Sequence, residues 1–267
     1  MEVFKQSIKK ANHSYKTNFV SYFVGAAVVL ILPLIISIIY AAADYTGFLT
    51  DAVWFILGIL VLVAVLTFPP LLYGLAYMGV KGTRNPDVAA SDVFFAFRSS
   101  AQLARSWAYG IILLVTIALL ILIVWGVFNL LGLFSADLGW FAEILITILS
   151  IVVSVPILYA ETIYVMTAPK GVMHAISESL SIAKEKTKVT LISLLFIVLI
   201  NAIICALSIA AVCGYLDFMG GHLPNPEELV FIVTVISLMF TLPYTETFLG
   251  YLIKDLRPTI RDTAEDV

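Results

Sequence analysis

The sequence predicts an all-α integral membrane protein, a six-helix transmembrane bundle built from three repeats of an amphipathic helix followed by a transmembrane hairpin. Three observations predict it. Apolar residues make up 61% of the chain and charged residues only 12%, against roughly 45–50% and about 25% in soluble domains. Six apolar runs are long enough to cross a bilayer. The prolines inside the even-numbered runs recur at a constant interval of 87 residues.

The runs come first. A spanning helix needs roughly 20 mainly apolar residues. Six such segments lie at about 18–43, 52–80, 107–134, 138–167, 189–213 and 229–253. Short polar breaks separate the members of each pair: 44–51, 135–137, and 214–228 with its Gly220, Gly221, Pro224 and Pro226. Longer polar stretches, 81–106 and 168–188, separate the pairs. The first run, Phe19 to Ala43, has 25 residues. A cleavable signal has an apolar core of only ~7–15 residues, so this run is expected to stay in the membrane.

Orientation follows from the basic residues. Lys5, Lys9, Lys10 and Lys16 precede the first run, and Lys81, Arg84, Arg98 and Arg105 lie between the second and third. Lys170, Lys184, Lys186 and Lys188 lie between the fourth and fifth, and Lys254, Arg257 and Arg261 follow the sixth. All 15 basic residues thus fall on one side. The other side carries only acids: Asp44, Asp51, Asp137, Asp217, Glu227 and Glu228. Basic loops stay cytoplasmic. The expected location is the cytoplasmic (plasma) membrane, multi-pass, with both termini inside.

The repeat is read from the inner halves of the even runs. They carry Thr67-Phe68-Pro69, Ser154-Val155-Pro156 and Thr241-Leu242-Pro243, each followed eight residues after the proline by Tyr77, Tyr164 or Tyr251. The segments entering the odd runs also match: Phe4, Ile8, Ala11 and Tyr15; Val93, Phe97, Ser100 and Ala104; Val172, Ile176, Ser179 and Ala183. Steps of four, three and four place each set on one helical face. A basic residue follows each: Lys16, Arg105 and Lys184. Ser91-Asp92 has the chemistry of a cap for the second such helix. The amphipathic helices are expected to lie at the cytoplasmic interface, apolar stripe toward lipid. The whole chain forms one membrane domain, with repeats over 1–80, 81–167 and 168–257 and a short cytoplasmic tail over 258–267. All three enter the membrane in the same direction, which fits a pseudo-threefold axis along its normal.

The entry segments Asp92-Val93-Phe94-Phe95-Ala96-Phe97 and Gly171-Val172-Met173-His174-Ala175-Ile176-Ser177-Glu178-Ser179-Leu180 carry a resemblance. With the six-run layout, they make the chain similar to polytopic membrane proteins grouped with the membrane domain of bacterial glycerophosphodiester phosphodiesterases. The likeness covers nearly the whole chain and contains no catalytic signature. It implies a membrane module, not hydrolysis, and no soluble phosphodiesterase domain is expected after Ile253.

Candidate sites follow from what a bilayer tolerates. A carboxyl group inside it costs a few kcal/mol on insertion-type scales, which makes it a functional candidate by default. Glu161 and Glu246 lie five and three residues after their prolines, and Glu143 lies near the outer end of the fourth run. Glu161 and Glu246, with Tyr73 and Tyr159 a turn deeper than the repeated tyrosines, form the candidate ligand or proton site. Pro69, Pro156 and Pro243 are candidate hinges, since a mid-helix proline frees a carbonyl that a nearby hydroxyl can satisfy. Tyr77, Tyr164 and Tyr251 read as an interfacial belt. Asn129 and Asn201 are expected to bond between helices. Cys205 and Cys213 are eight residues apart in one helix, too far for a disulfide.

Several classes of chemistry lack support. His13, His174 and His222 are scattered across both sides, at no metal-ligand spacing. There is no nucleophile elbow and no phosphate-binding glycine loop. Ser181-Ile182-Ala183-Lys184 matches a Ser-x-x-Lys pattern only by chance. Neither a metal, a cofactor nor a catalytic residue is expected. No basic patch with interleaved aromatics points to nucleic acid. The expected function is a non-catalytic multi-pass membrane protein that binds lipid or partner proteins at the cytoplasmic face. The alternative is a small-solute or ion-coupled transporter using the intramembrane carboxyl groups. Mitochondrial carriers share three two-span repeats with matched prolines, but their paired acidic and basic residues around the proline are missing here, so the analogy is one of architecture.

Overall fold

A computed structural model of the chain describes residues 2–45, 50–85, 87–111, 122, 126, 158–167, 170–218, 226–258 and 260. Every regular element among the described residues is helical. In chain order these are α1 (Glu2–Thr17), α2 (Phe19–Tyr45), α3 (Asp51–Gly82), a 3-10 helix (Ala90–Arg98), α4 (100–111), α5 (Ala160–Met166), α6 (Val172–Glu185), α7 (Thr187–Phe218) and α8 (Pro226–Leu256). Among the described residues, three segments are long and apolar enough to cross a membrane: Phe19–Tyr40, Asp51–Gly82 and Thr187–Ala211. Most of the third and fourth predicted runs, with Asn129, Glu143 and Pro156, lies outside the described residues.

The three apolar helices show why water cannot be their solvent. Only 6% of the most apolar window of α7 is buried within the protein. Leu195, Val198, Leu199, Ile203 and Leu207 face outward along it, as do Val61, Leu62, Val65 and Leu66 on α3. Contiguous exposed apolar surface of this kind belongs against lipid or another apolar partner.

The half that carries α1, the 3-10 helix and α5 is packed. One core joins Phe4, Tyr73, Phe95, Tyr109, Ile163 and Phe248. A second joins Tyr22, Val29, Leu75, Met78, Val93 and Met239. Two close approaches set the helix spacing there. A Cβ on Gly74 would enter the Val93 carbonyl of the 3-10 helix. One on Gly79 would stand 2.8 Å from the Glu246 backbone carbon of α8. Small residues let backbones approach in this way.

The element ends that carry the described basic residues meet at one end of the molecule. Ser14 Oγ and Tyr251 Oη both donate to the Gly82 carbonyl, at 3.3 and 3.0 Å. Lys254 Nζ reaches the Thr83 carbonyl, and Lys10 pairs with Asp255 at 2.7 Å. Arg257 pairs with Glu178 at 3.2 Å and Glu185 at 2.7 Å on α6. The guanidinium hydrogen bond holds the exposed Glu185 carboxyl below the usual carboxylate range, with Ser181 contributing. At the other end of the α2/α3 hairpin, Tyr40 and Trp54 meet edge to face at 6.2 Å.

The entry helices differ from one another. In α1, Phe4 and Ala11 are buried while Ile8 and Tyr15 are half-buried, so the expected stripe is the packed face. In α6, Val172, Ser179 and Ala183 are buried and Ile176 half-buried. Much of the α1 stripe faces protein rather than lipid, because α8 offers it partners. Ser7 Oγ donates to Asp255 at 2.9 Å, and Phe4 meets the Phe248 ring at 5.7 Å. Gly171 precedes α6 with φ +83°, a conformation that glycine adopts without steric cost.

The second entry segment departs from the expected single helix. Val93 is buried, but Phe97, Ser100 and Ala104 are exposed. The 3-10 helix turns every ~3 residues rather than 3.6, so a stripe drawn at steps of three and four drifts off its face. Asp92 organises this winding. It is 2% exposed, and its carboxylate takes Lys81 at 2.6 Å, Arg98 at 3.0 Å and the Ala89 N–H at 2.9 Å. The expected Ser91-Asp92 cap is therefore a carboxylate reaching back from inside the first turn. The chain then extends at Ser99, and α4 restarts with Ser99 Oγ accepting the Gln102 N–H at 3.2 Å.

Candidate functional site

Two features of the packed half could bind something. The first is a groove of about 550 Å³ between α1, α7 and α8. That lies within the ~300–1,000 Å³ typical of ligand pockets. Asn12 and Tyr15 line it from α1, Phe196 and Ile203 from α7, and Phe240 and Tyr244 from α8. Phe4, Phe196 and Phe248 pack ring to ring behind it, at centroid separations of 5.2–5.7 Å.

The groove is polar only at its α1 end. Tyr244 Oη donates to Asn12 Oδ1 at 2.7 Å, and Tyr15 Oη donates to the Phe240 carbonyl at 2.9 Å. Burial pushes the Tyr15 phenol up to about 12, so it remains a donor at neutral pH. Below this level the lining is isoleucine and phenylalanine, with Thr241 Oγ1 turned away to donate to Asn201 at 2.6 Å. Ile203 is 56% exposed and Phe19 41% exposed, so the groove opens sideways on the apolar surface.

A polar seam holds the far wall. Asn201 bridges α7 and α8 through Thr241, and Ser237 Oγ donates to Ser208 at 3.0 Å. Cys205, a free thiol, lies 3.9 Å from Thr234 in the same seam. Interhelical hydrogen bonds of this type average ~0.6 kcal/mol in membranes. They fix register more than they supply stability.

The second feature is the carboxyl pair. Glu161 begins α5 and Glu246 lies in α8, and the two groups are within electrostatic reach of each other. Tyr109 Oη on α4 hydrogen-bonds Glu161, and Thr162 Oγ1 donates to Glu246 at 3.4 Å. Gly79 places α3 directly behind Glu246. Gln102 is 4% exposed, and its Oε1 has no hydrogen-bond partner among the described residues. It lies seven residues before Tyr109, on the same face of α4.

Of the residues singled out by sequence, Glu161 and Glu246 are brought together. Tyr73 and Tyr159 do not join them. Tyr73 is buried among the Phe95 and Tyr164 rings, and Tyr159 Oη donates to Thr190 at 3.3 Å. Tyr109 takes the role expected of them. Its position one turn inside the third run, near the depth of both glutamates, was the signal that could have found it.

The prolines and repeated tyrosines are also placed. Pro69 and Pro243 lie inside continuous helices, and the ring of Pro69 packs on Gly110. Thr67 donates to the carbonyl of Val63, four residues back, and Thr241 donates across to Asn201 with the Ser237 carbonyl 3.2 Å away, so neither serves the carbonyl its proline frees. A helical threonine reaches its own preceding turn. Tyr164 is 2% exposed and donates to the Arg105 carbonyl at 3.2 Å, while Tyr77 stacks on Phe95 at 3.6 Å. These tyrosines tie helices together rather than forming an exposed belt, since a buried phenol seeks an acceptor.

Among the described residues, no group of three His, Cys, Asp or Glu side chains is placed to hold a metal ion. No family model, curated protein or solved structure matches the chain.

Proposed function

We propose that the chain is a non-catalytic, multi-pass membrane protein that binds a membrane lipid in the groove between α1, α7 and α8. The groove carries this reading. It is apolar along α7 and α8, polar at its α1 end, and open sideways where exposed isoleucine and leucine meet the surroundings. A lipid has the same division between chain and headgroup. Six spans with cytoplasmic termini frame the site, with the groove's polar end at the cytoplasmic level. The gathering of Lys10, Lys81, Arg98, Lys254 and Arg257 near one end supports that orientation. The pseudo-threefold repeat and the kinship with phosphodiesterase membrane domains belong to the same proposal, supported by the sequence pattern. A protein partner at the cytoplasmic face is compatible with it, and no nucleic acid takes part.

The test is retention of lipid. Full-length protein purified in mild detergent is expected to carry one phospholipid per chain, read by native mass spectrometry. Ile203→Trp fills the groove and is expected to reduce occupancy at least 5-fold without lowering the melting temperature. Equal occupancy in both proteins would remove the groove from the reading.

The carboxyl pair favours a second reading, an ion- or proton-coupled transporter. Two carboxyl groups from different repeats, with a phenol and a hydroxyl between them, can hold one proton or cation in common. Here Glu161 and Glu246 are the coupling residues. In reconstituted vesicles with a pH indicator inside, Glu161→Gln and Glu246→Gln are each expected to lower proton-linked flux at least 10-fold. Flux that survives both substitutions would end this reading and leave the first intact.

A further inference from the structure

Resting on the lipid reading, we infer that the groove selects an anionic phospholipid, with its phosphate at a lysine lip on α1 and one acyl chain between α7 and α8. The lip follows from helical geometry. Ile8, Asn12 and Tyr15 line the groove from α1. Successive residues rotate by ~100°. Lys5, Lys9 and Lys16 therefore lie along the side of the groove stripe away from the buried face of Phe4, Ser7, Ala11 and Ser14.

All three lysines are exposed. Lys10, on the opposite face, is already held by Asp255. One acid, Glu2, stands at the outer end of this lip, leaving an excess of two positive charges. On α8, Asp255 is held by Lys10, and Glu246, two residues past the groove-lining Tyr244, accepts from Thr162.

A headgroup phosphate fits this arrangement. Asn12 supplies a polar anchor at the groove's entry, and Lys5, Lys9 and Lys16 spread positive charge along roughly 16 Å of helix beside it, a band that draws in an anionic headgroup. A zwitterionic headgroup would set its own cation against the lysines. The chain below meets Phe196, Ile200, Ile203 and Ile204, which line up over about two turns of α7. Lysines near a membrane attract anionic lipid by about 1 kcal/mol each, close to a 5-fold preference per charge.

The experiment uses full-length protein in nanodiscs of equal parts phosphatidylglycerol and phosphatidylcholine, released into detergent for native mass spectrometry. The wild type is expected to retain phosphatidylglycerol over phosphatidylcholine by at least 10-fold. The triple variant Lys5→Gln, Lys9→Gln, Lys16→Gln is expected to keep a lipid but bring the ratio close to one. The charge-matched variant Lys170→Gln, Lys184→Gln, Lys186→Gln is expected to keep the wild-type ratio.

A wild-type ratio near one, or equal loss in both triple variants, would overturn the anionic selectivity while leaving lipid occupancy standing. A chain that retains no lipid, or retains it equally after Ile203→Trp, would overturn the groove as a lipid site and this inference with it.

Discussion

Gly79→Leu is expected to prevent the packed half of the protein from assembling. A Cβ at this position would lie 2.8 Å from both the backbone carbon and the Cβ of Glu246, and 3.0 Å from its carbonyl oxygen. Two of those atoms are main chain, so no side-chain rotation relieves the clash. Helices α3 and α8 must separate. Gly250, on the next turn of α8, packs on Gly79 and Thr83 and would lose its contacts as well. Overpacking typically costs ~1–3 kcal/mol, occasionally more, and a backbone clash across a buried crossing belongs at or beyond the upper end. The expected result is little folded protein at 37 °C, read as loss of the monodisperse chromatographic peak. Gly79→Ala is the graded version, expected to cost about 2 kcal/mol in chemical unfolding. Gly58 is the control, since a Cβ there meets nothing within 4 Å. If Gly79→Leu melts within 2 °C of Gly58→Leu, α3 and α8 do not cross at this point.

The same crossing explains what was legible in the sequence. The cost of a carboxyl group in lipid marked Glu161 and Glu246 individually. Their convergence depends on α3 and α8 meeting at Gly79, a lone glycine with no partner four residues away to advertise a close approach. Tyr109 was hidden for a similar reason. Its phenol has no local pattern, and only the packing of α4 on Pro69 through Gly110 sets it beside Glu161. The groove is less legible still, because Asn12, Phe196 and Phe240 are far apart in the chain and none is unusual in its own segment.

Local periodicity carried the rest. The α1 and α6 stripes are buried or half-buried because a 3.6-residue period survives in both helices. The second stripe has the same spacing but fails, since one buried carboxylate winds that segment as a 3-10 helix. The threonines before Pro69 and Pro243 have the chemistry to satisfy a freed carbonyl but not the geometry, and Ser154 with Pro156 lies outside the described residues. The Thr67 side chain bonds within its own preceding turn, and that of Thr241 across to Asn201, before either can reach the carbonyl its proline frees.

Asp92 offers the sharpest test of how the second entry segment is held. Its carboxylate is 3% exposed and accepts from Lys81, Arg98 and the Ala89 amide. It thereby joins the end of α3 to both ends of the 3-10 helix. Asp92→Asn removes the charge and leaves two cations facing a neutral amide. Breaking a fully buried ion pair costs ~3–5 kcal/mol. Here Lys81 and Arg98 are 25% and 51% exposed, so both can recover water, and the expected loss is about 2–3 kcal/mol. Asp92→Ala also strands the Ala89 N–H and is expected to cost about 1 kcal/mol more. Lys81→Met relieves the stranded ammonium, so the Asp92→Asn, Lys81→Met pair should be more stable than the sum of the single losses. That non-additivity is what contact between the two groups requires. Chemical unfolding of the four proteins in one detergent measures it. Strict additivity would mean that Asp92 and Lys81 do not meet, and that something other than their ion pair shapes the 3-10 turn positioning α4 and Tyr109.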